Sequence, residues 1–412
     1  MCAGPPLVLG CSLRPVTGPR LETAIVGAGP AGLATAAVLK RAGIQATILE
    51  RSDHVAASWH KHYNRLHLHT VRWLSNLPGY RFSREHGRWV SRDGVIRYLE
   101  RYARHHDLDV RTGVDVRRLE RDAAGGGWTL ETSEGPIEAR FVVVATGYNH
   151  TPVLPDWPGR EGFAGDVVHG QDYRNAEPYR GRDVLVVGSG NTGAEIAVDL
   201  VEGGASRVRM AIRTPPHVLL REVNGMPGQL AGVLLRHLPL RVADAIVGTA
   251  QKVNVGDLSE YGIGRPPRGP FTRAVEEDVV PILDVGLIAM LKKGRVEVVA
   301  AVEGFDGADV LLADDSRIQP DAVIACAGYA RGLEPLVGHL GLLGPKGRPT
   351  VHGGRTDPDA PGLYFIGYTN PVSGMFREFG IVARRIARAI ARERKRTPAD
   401  GAVPESAESL AA

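Results

Sequence analysis

A doubly wound α/β chain with two nucleotide-binding units, one inserted into the other, is the architecture this sequence predicts. Three observations lead there. A short apolar strand runs into Gly27-Ala28-Gly29-Pro30-Ala31-Gly32 and then into a helix of small residues. The same order of strand, glycine loop and helix returns at Asp183, around Gly188-Ser189-Gly190-Asn191-Thr192-Gly193. Two apolar strand ends, Phe141 to Ala145 and Ala322 to Ala325, are each followed closely by a Gly-Tyr pair. Each reads as a strand that closes one unit and passes the chain to the other.

Taken in order, Leu21 to Val26 supply the first strand and Leu33 to Arg41 the helix behind the loop. Gly43 stands where a glycine ends a helix. Ile44 to Leu49 form the next strand, ending at Glu50 and completing a βαβ unit. In the second copy the strand is Asp183 to Val187 and the helix Ala194 to Val201, closed by Gly203-Gly204. Val208 to Ile212 follow as a strand ending at Arg213. The pair reads as two Rossmann-like domains. Thr151 to Gly159, with Pro152, Pro155 and Pro158, is a linker. From about residue 330, a third piece carries Leu363-Tyr364-Phe365-Ile366-Gly367, and Gly374-Met375-Phe376 opens a last helix running to about Arg394. The expected domains are 21–150 with 330–395, interrupted by 151–329. Residues 1–20 and 396–412 are expected to be disordered tails.

Composition narrows the function classes. The 412 residues include 51 glycines, well above the share of about 7% in average proteins, and the loops account for only some of them. A net charge of +4, with 43% hydrophobic residues, describes a globular chain with a solvated surface and no nucleic-acid partner. Cys2, Cys11 and Cys326 form no C-x-x-C and no zinc spacing, so a local dithiol is not expected. No apolar run is long enough to span a membrane, and a cytoplasmic location is expected.

The glycine loops carry chemistry. Their first glycine allows a tight turn, the second a close approach to a pyrophosphate, and the third a close packing of helix on strand. The phosphates then sit at a helix N-terminus. At the first loop, Glu50 ends the next strand, where it accepts hydrogen bonds from an adenosine ribose; this suits FAD or NAD. Arg51 follows it. At the second loop the matching position is Arg213, suited to the 2′-phosphate of NADP. Two different nucleotides in one chain point to a relay in which NADPH gives a hydride to a flavin.

Between the units lies Phe163-x-Gly165-x-x-x-His169-x-x-x-Tyr173. That pattern resembles the fingerprint of the class B flavoprotein monooxygenases, with the terminal Tyr of the flavin-containing monooxygenases. Further segments resemble YUCCA-type flavin monooxygenases. These are Ser58-Trp59, Arg65-Leu66-His67-Leu68-His69, His217-Val218-Leu219-Leu220-Arg221-Glu222, Arg265-Pro266-x-x-Gly269-Pro270 and Pro281-Ile282-Leu283-Asp284-Val285-Gly286. The likeness covers about residues 21–395. Two stretches, Val71 to Asn76 and Gly225 to Leu240, depart from the plant pattern.

The resemblance implies FAD, NADPH and oxygen, and a C4a-(hydro)peroxyflavin that oxygenates a small organic substrate. That substrate would be an α-keto acid such as indole-3-pyruvate, or a soft nitrogen or sulfur nucleophile. It also places Trp59 and His69 beside the flavin as catalytic candidates, and Gly367, Gly374 and Met375 near its ring. There the positive end of the last helix would stabilise charge on the reduced flavin. Many flavoproteins carry an acid after the glycine that corresponds to Gly367; here Tyr368 follows. His67 and His69 would share one strand face, but no adjacent carboxylate or cysteine completes a metal site. Two other outcomes remain open in the sequence: an NADPH oxidase or reductase without oxygen transfer, and a non-catalytic flavin redox sensor.

Overall fold

The computed structural model describes residues 20–122 and 126–396, so most of both expected tails, 1–19 and 397–412, lies outside the described residues. The first half of the chain builds β1 (Leu21–Val26), α1 (Pro30–Arg41), β2 (Thr47–Glu50), α2 (Arg92–His105), β3 (Asp109–Thr112), β4 (Val116–Arg121), β5 (Trp128–Thr132) and β6 (Gly135–Val144). Strands β3, β2, β1 and β6 run parallel in that order. The start of β6 turns the other way, into an antiparallel ribbon with β5 and β4.

The middle of the chain builds a second, wholly parallel sheet. Its elements are β7 (Asp166–His169), β8 (Asp183–Val187), α3 (Asn191–Glu202), β9 (Arg207–Ala211), α4 (Gly228–Leu235), α5 (Leu240–Asn254), β10 (Glu297–Val299) and β11 (Ala322–Ala325). The strand order is β10-β9-β8-β11-β7. The chain then returns to the first sheet. β12 (Leu363–Phe365) pairs with the end of β6, Phe365 opposite Val144, and α6 (Met375–Arg396) packs on α1.

The outgoing and returning crossings lie side by side. Thr151–Pro152, inside the expected linker, pairs antiparallel with Tyr329–Ala330.

Both helices behind the glycine loops start three residues earlier than expected. Pro30 occupies the first turn of α1, where its missing N–H costs nothing. α3 likewise begins at Asn191, so the second half of each loop is already helix. β2 is shorter than expected because the Ile44 N–H closes the end of α1 on the Leu39 carbonyl at 3.0 Å. Gly43, at φ +69, makes that turn, as the sequence indicates.

In α6 the buried stripe is Val382, Ala383, Ile386, Ala387 and Ile390, while Arg384, Arg385 and Arg388 face solvent. Burial of Ile386 and Ile390 contributes about 1.5–3 kcal/mol each. The basic run near the C-terminus is therefore the wet side of an amphipathic helix.

Candidate active site

The two glycine loops are built alike to the level of single atoms. Gly27 has φ +106, and a Cβ there would lie 2.8 Å from the Ala145 carbonyl oxygen. A Cβ on Gly32 would collide with the Gly27 carbonyl, whereas Gly29 faces open space. In the second loop Gly188 has φ +127, and its Cβ would collide with the Cys326 carbonyl. Gly193 would press on the Gly188 carbonyl at 2.5 Å, and Gly190 faces open space. Neither α1 nor α3 has a side-chain cap on its first turn, so backbone N–H groups are left to an anion. Both loops fit a pyrophosphate: the outer glycines are locked by neighbouring backbone and the middle one lets a ligand come close.

Glu50 is buried at the end of β2. Its Oε2 accepts from the Ala28 N–H at 2.7 Å and its Oε1 from the Ser52 N–H at 2.9 Å. Each oxygen keeps a lone pair for a ribose hydroxyl. Arg51 beside it is exposed. Arg213, just beyond β9, is also exposed, with no ion pair or side-chain hydrogen bond among the described residues. Ser189 donates to the Thr214 carbonyl at 3.2 Å, tying the second loop to the residue after Arg213. The Asn191 side chain spans the Pro281 carbonyl (3.1 Å) and the Leu283 N–H (2.7 Å). It is committed to the chain itself, and with Thr192 in the same first turn it offers backbone to the cradle.

Trp59 stands beside the first loop. Its short helix, Ala57–His60, is pinned there by the Ala56 N–H, which donates to the Ala28 carbonyl at 3.1 Å. Its ring packs edge-on to Phe376 at 5.8 Å and to His62 at 5.5 Å. Burial holds the His62 imidazole down to about 4, so it is neutral at physiological pH. Gly367, at φ +91 beyond β12, would place a Cβ 3.5 Å from Ala31. Gly374, at φ +95, is closed in by Thr70 and Gln229 just before Met375 opens α6. The first loop, Trp59, Gly367 and the start of α6 therefore gather in one place.

His69 reaches toward the second unit. Its Nε2 bonds the carboxylate of Glu195, which is buried on α3 behind the second loop. A buried carboxylate needs donors, and the Tyr63 hydroxyl faces it too, its pKa raised by burial and then by that charge. His69 thus joins the segment after the first unit to the helix of the second. A carboxylate does reach it, contrary to the sequence expectation, yet no group of three metal-ligating side chains forms among the described residues. Nor do the two histidines share a strand: His67 bonds the Arg65 carbonyl at 2.7 Å through Nδ1.

The fingerprint residues tie the crossings to the second sheet. His169 ends β7, with Nε2 3.2 Å from the Gly328 carbonyl and its ring edge-on to Tyr329. The Tyr173 hydroxyl donates to Asp199 on α3 at 2.6 Å. Tyr368, in place of an acid, bonds the Thr146 hydroxyl at 2.8 Å and links the ends of β12 and β6. Cys326 is held as a thiol, burial pushing its pKa up to about 12, and disulfide exchange needs a thiolate.

Residues 24–220 match the family described as pyridine nucleotide-disulphide oxidoreductase. Indole-3-pyruvate monooxygenase YUCCA1 of Oryza sativa subsp. japonica is 37% identical over 84% of this chain and 86% of its own. The chain belongs to the YUCCA-type flavin monooxygenase family. It is a flavin-dependent monooxygenase, and its cofactors are FAD and NADPH. Probable indole-3-pyruvate monooxygenase YUCCA7 of Arabidopsis thaliana is 35% identical over 90% of this chain and 88% of its own. A flavin-containing monooxygenase from Stenotrophomonas maltophilia shares the fold, with a TM-score of 0.69 at 23% identity, covering 91% of this chain and 99% of that one. Among the described residues of this family member, no helix is long and apolar enough to cross a membrane.

One cluster of this monooxygenase gave no signal in the sequence. Asp278 accepts from the Tyr148 hydroxyl and pairs with Arg331 at 3.1 Å and Arg348 at 3.5 Å, all on Oδ2. The Arg331 guanidinium lies 3.5 Å over the Tyr148 ring. Four residues distant in sequence meet beside the paired crossings.

Proposed function

We propose that this chain oxidatively decarboxylates an α-keto acid with an aromatic side chain, using NADPH and oxygen. The overall balance is keto acid, oxygen, NADPH and a proton giving the shortened acid, carbon dioxide, NADP⁺ and water. The observation that carries the reading is the pair of matched cradles, one ending at Glu50 and the other at Arg213, unpaired among the described residues, in a chain 37% identical to a rice enzyme named for indole-3-pyruvate.

The residues act as binders and shields. Backbone N–H groups of Gly29, Ala31 and Gly32 take the FAD pyrophosphate, and Glu50 accepts from the adenosine ribose. The second loop takes the NADPH pyrophosphate, and Arg213 takes the 2′-phosphate. When bound, the flavin supplies the oxygen chemistry, which explains why no triad or paired carboxylate is needed. Trp59 and Phe376 exclude water there. The N-terminus of α6 at Met375 faces the same place with its partial positive charge. His69 holds Glu195 and so sets the second unit against the first.

Product coupling tests this. The FAD-loaded chain, given NADPH, oxygen and indole-3-pyruvate, should form indole-3-acetate and carbon dioxide in step with NADPH consumed. Equimolar hydrogen peroxide with no oxygenated product, from α-keto acids, amines and thioethers alike, would make it an NADPH oxidase instead.

A further inference from the structure

Helix α4 comes from the inserted segment and roofs the start of α6. Gln229 on α4 accepts from the Val71 N–H at 2.9 Å and donates to the Ser373 carbonyl at 2.8 Å. Arg236, just past α4, pairs with Glu378 at 2.6 Å. Beside this roof lies an open cleft of about 640 Å³. The two stretches that depart from the plant pattern form its facing walls, Arg72 and Trp73 on one side and Met226 and Leu230 on the other. Val71 and Gln229, next in the chain to the lining residues Arg72 and Leu230, are hydrogen-bonded to each other, and Gln229 lies against Gly374.

The chemistry of the cleft is one-sided. Trp73 is 46% exposed and Met226 63%, large apolar surfaces left open to a ligand. Arg72 spends its guanidinium on the Gly87 and Phe82 carbonyls, with no carboxylate partner among the described residues. Arg84 is exposed and has no ion pair or side-chain hydrogen bond among the described residues. Arg88, 5.7 Å from the Trp73 ring, pairs with Glu222 but leaves its buried Nε without a partner. No acidic side chain is among the residues that line the cleft. Arg72 and Arg84, neither paired with a carboxylate among the described residues, stand beside an open indole face, and together these select an organic anion with a flat apolar body.

We propose that this cleft is the substrate entrance, where Trp73 stacks the flat body and Arg84 draws the carboxylate of an aromatic acid. The assignment rests on the reading above that the substrate is an aromatic α-keto acid. It places specificity in the two divergent stretches and outside the cofactor cradles.

Arg84→Glu and Trp73→Ala both change exposed positions, and each is examined in the FAD-loaded full chain. Equilibrium dialysis without NADPH measures indole-3-acetate, with indole-3-acetamide as the uncharged probe. Both variants should weaken binding of the acid about tenfold, and only Trp73→Ala should weaken binding of the amide. With indole-3-pyruvate, KM should rise about tenfold in both variants while kcat stays within about twofold. Absence of acid binding in the unaltered chain, unchanged binding in both variants, or equal loss of acid and amide in Arg84→Glu overturns the proposal. A chain that binds the acid through these residues yet oxygenates no α-keto acid keeps the entrance and loses the proposed reaction. One that decarboxylates the keto acid with KM unchanged in both variants does the reverse.

Discussion

At the scale of single residues, the choice between the two nicotinamide cofactors falls, on the proposed reading, to Arg213. It stands just beyond β9 much as Glu50 stands at the end of β2, and among the described residues no carboxylate pairs with it. A guanidinium that is free in the unliganded chain can meet a 2′-phosphate at both ends of its fork. Arg213→Ala should raise KM for NADPH by about tenfold to a hundredfold and leave NADH use nearly unchanged. Steady-state kinetics with both nucleotides checks this, and an equal effect on the two removes the assignment. Glu50 and Arg213 were legible because each follows its loop at the spacing a βαβ unit imposes. His69 was less so: its sequence neighbours say nothing of a carboxylate on a helix of the other unit. Asn191 sits within a cradle motif, yet its side chain serves the strand after Pro281.

At the scale of the elements, the glycine loops divide their work between folding and binding. A Cβ on Gly193 meets the Gly188 carbonyl at 2.5 Å, and backbone cannot swing aside as a flexible side chain can. A Cβ on Gly190 meets nothing of the protein within 4 Å and projects where a phosphate would lie. Gly193→Ala should therefore cost about 1–3 kcal/mol of stability. Gly190→Ala should cost no more than about 1 kcal/mol but weaken NADPH binding at least tenfold. Thermal melts together with NADPH titration separate the two, and the same pattern in both variants would refute this division. The element order was largely readable, because alternating apolar strands and glycine-closed helices leave local marks. The helix starts were not, since Pro30 and Asn191 lie inside motifs that read as loop. The two divergent stretches showed in the sequence but their meeting did not, since they come together only in the fold, through Gln229 and through Arg88, whose guanidinium donates to the Gly225 carbonyl.

At the scale of the whole molecule, the discontinuous order of the chain shows in the sequence because two strand ends repeat the same Gly-Tyr sequel. What holds the crossings in place does not show, since Tyr148, Asp278, Arg331 and Arg348 become neighbours only in the fold. Asp278 carries three donors on one oxygen at φ +64, a backbone region that Asp and Asn tolerate better than most residues. Burial, with the carboxylate's own charge, raises the Tyr148 pKa and keeps its hydroxyl a donor. Asp278→Asn keeps the shape and the backbone preference but removes the charge, leaving Arg331, with 8% of its side chain exposed, without a counter-ion. Breaking one side of such a buried pair costs about 3 kcal/mol. The variant should therefore melt several degrees lower, and Asp278→Ala lower still, since Ala at that φ adds about 1–2 kcal/mol of strain. Because the cluster sits where the two crossings pair, hydride transfer from NADPH to the flavin should also slow in Asp278→Asn, while FAD content stays full. Rapid-mixing reduction under anaerobic conditions reads that rate. Unchanged melting and an unchanged reduction rate would show that the crossings are held without Asp278.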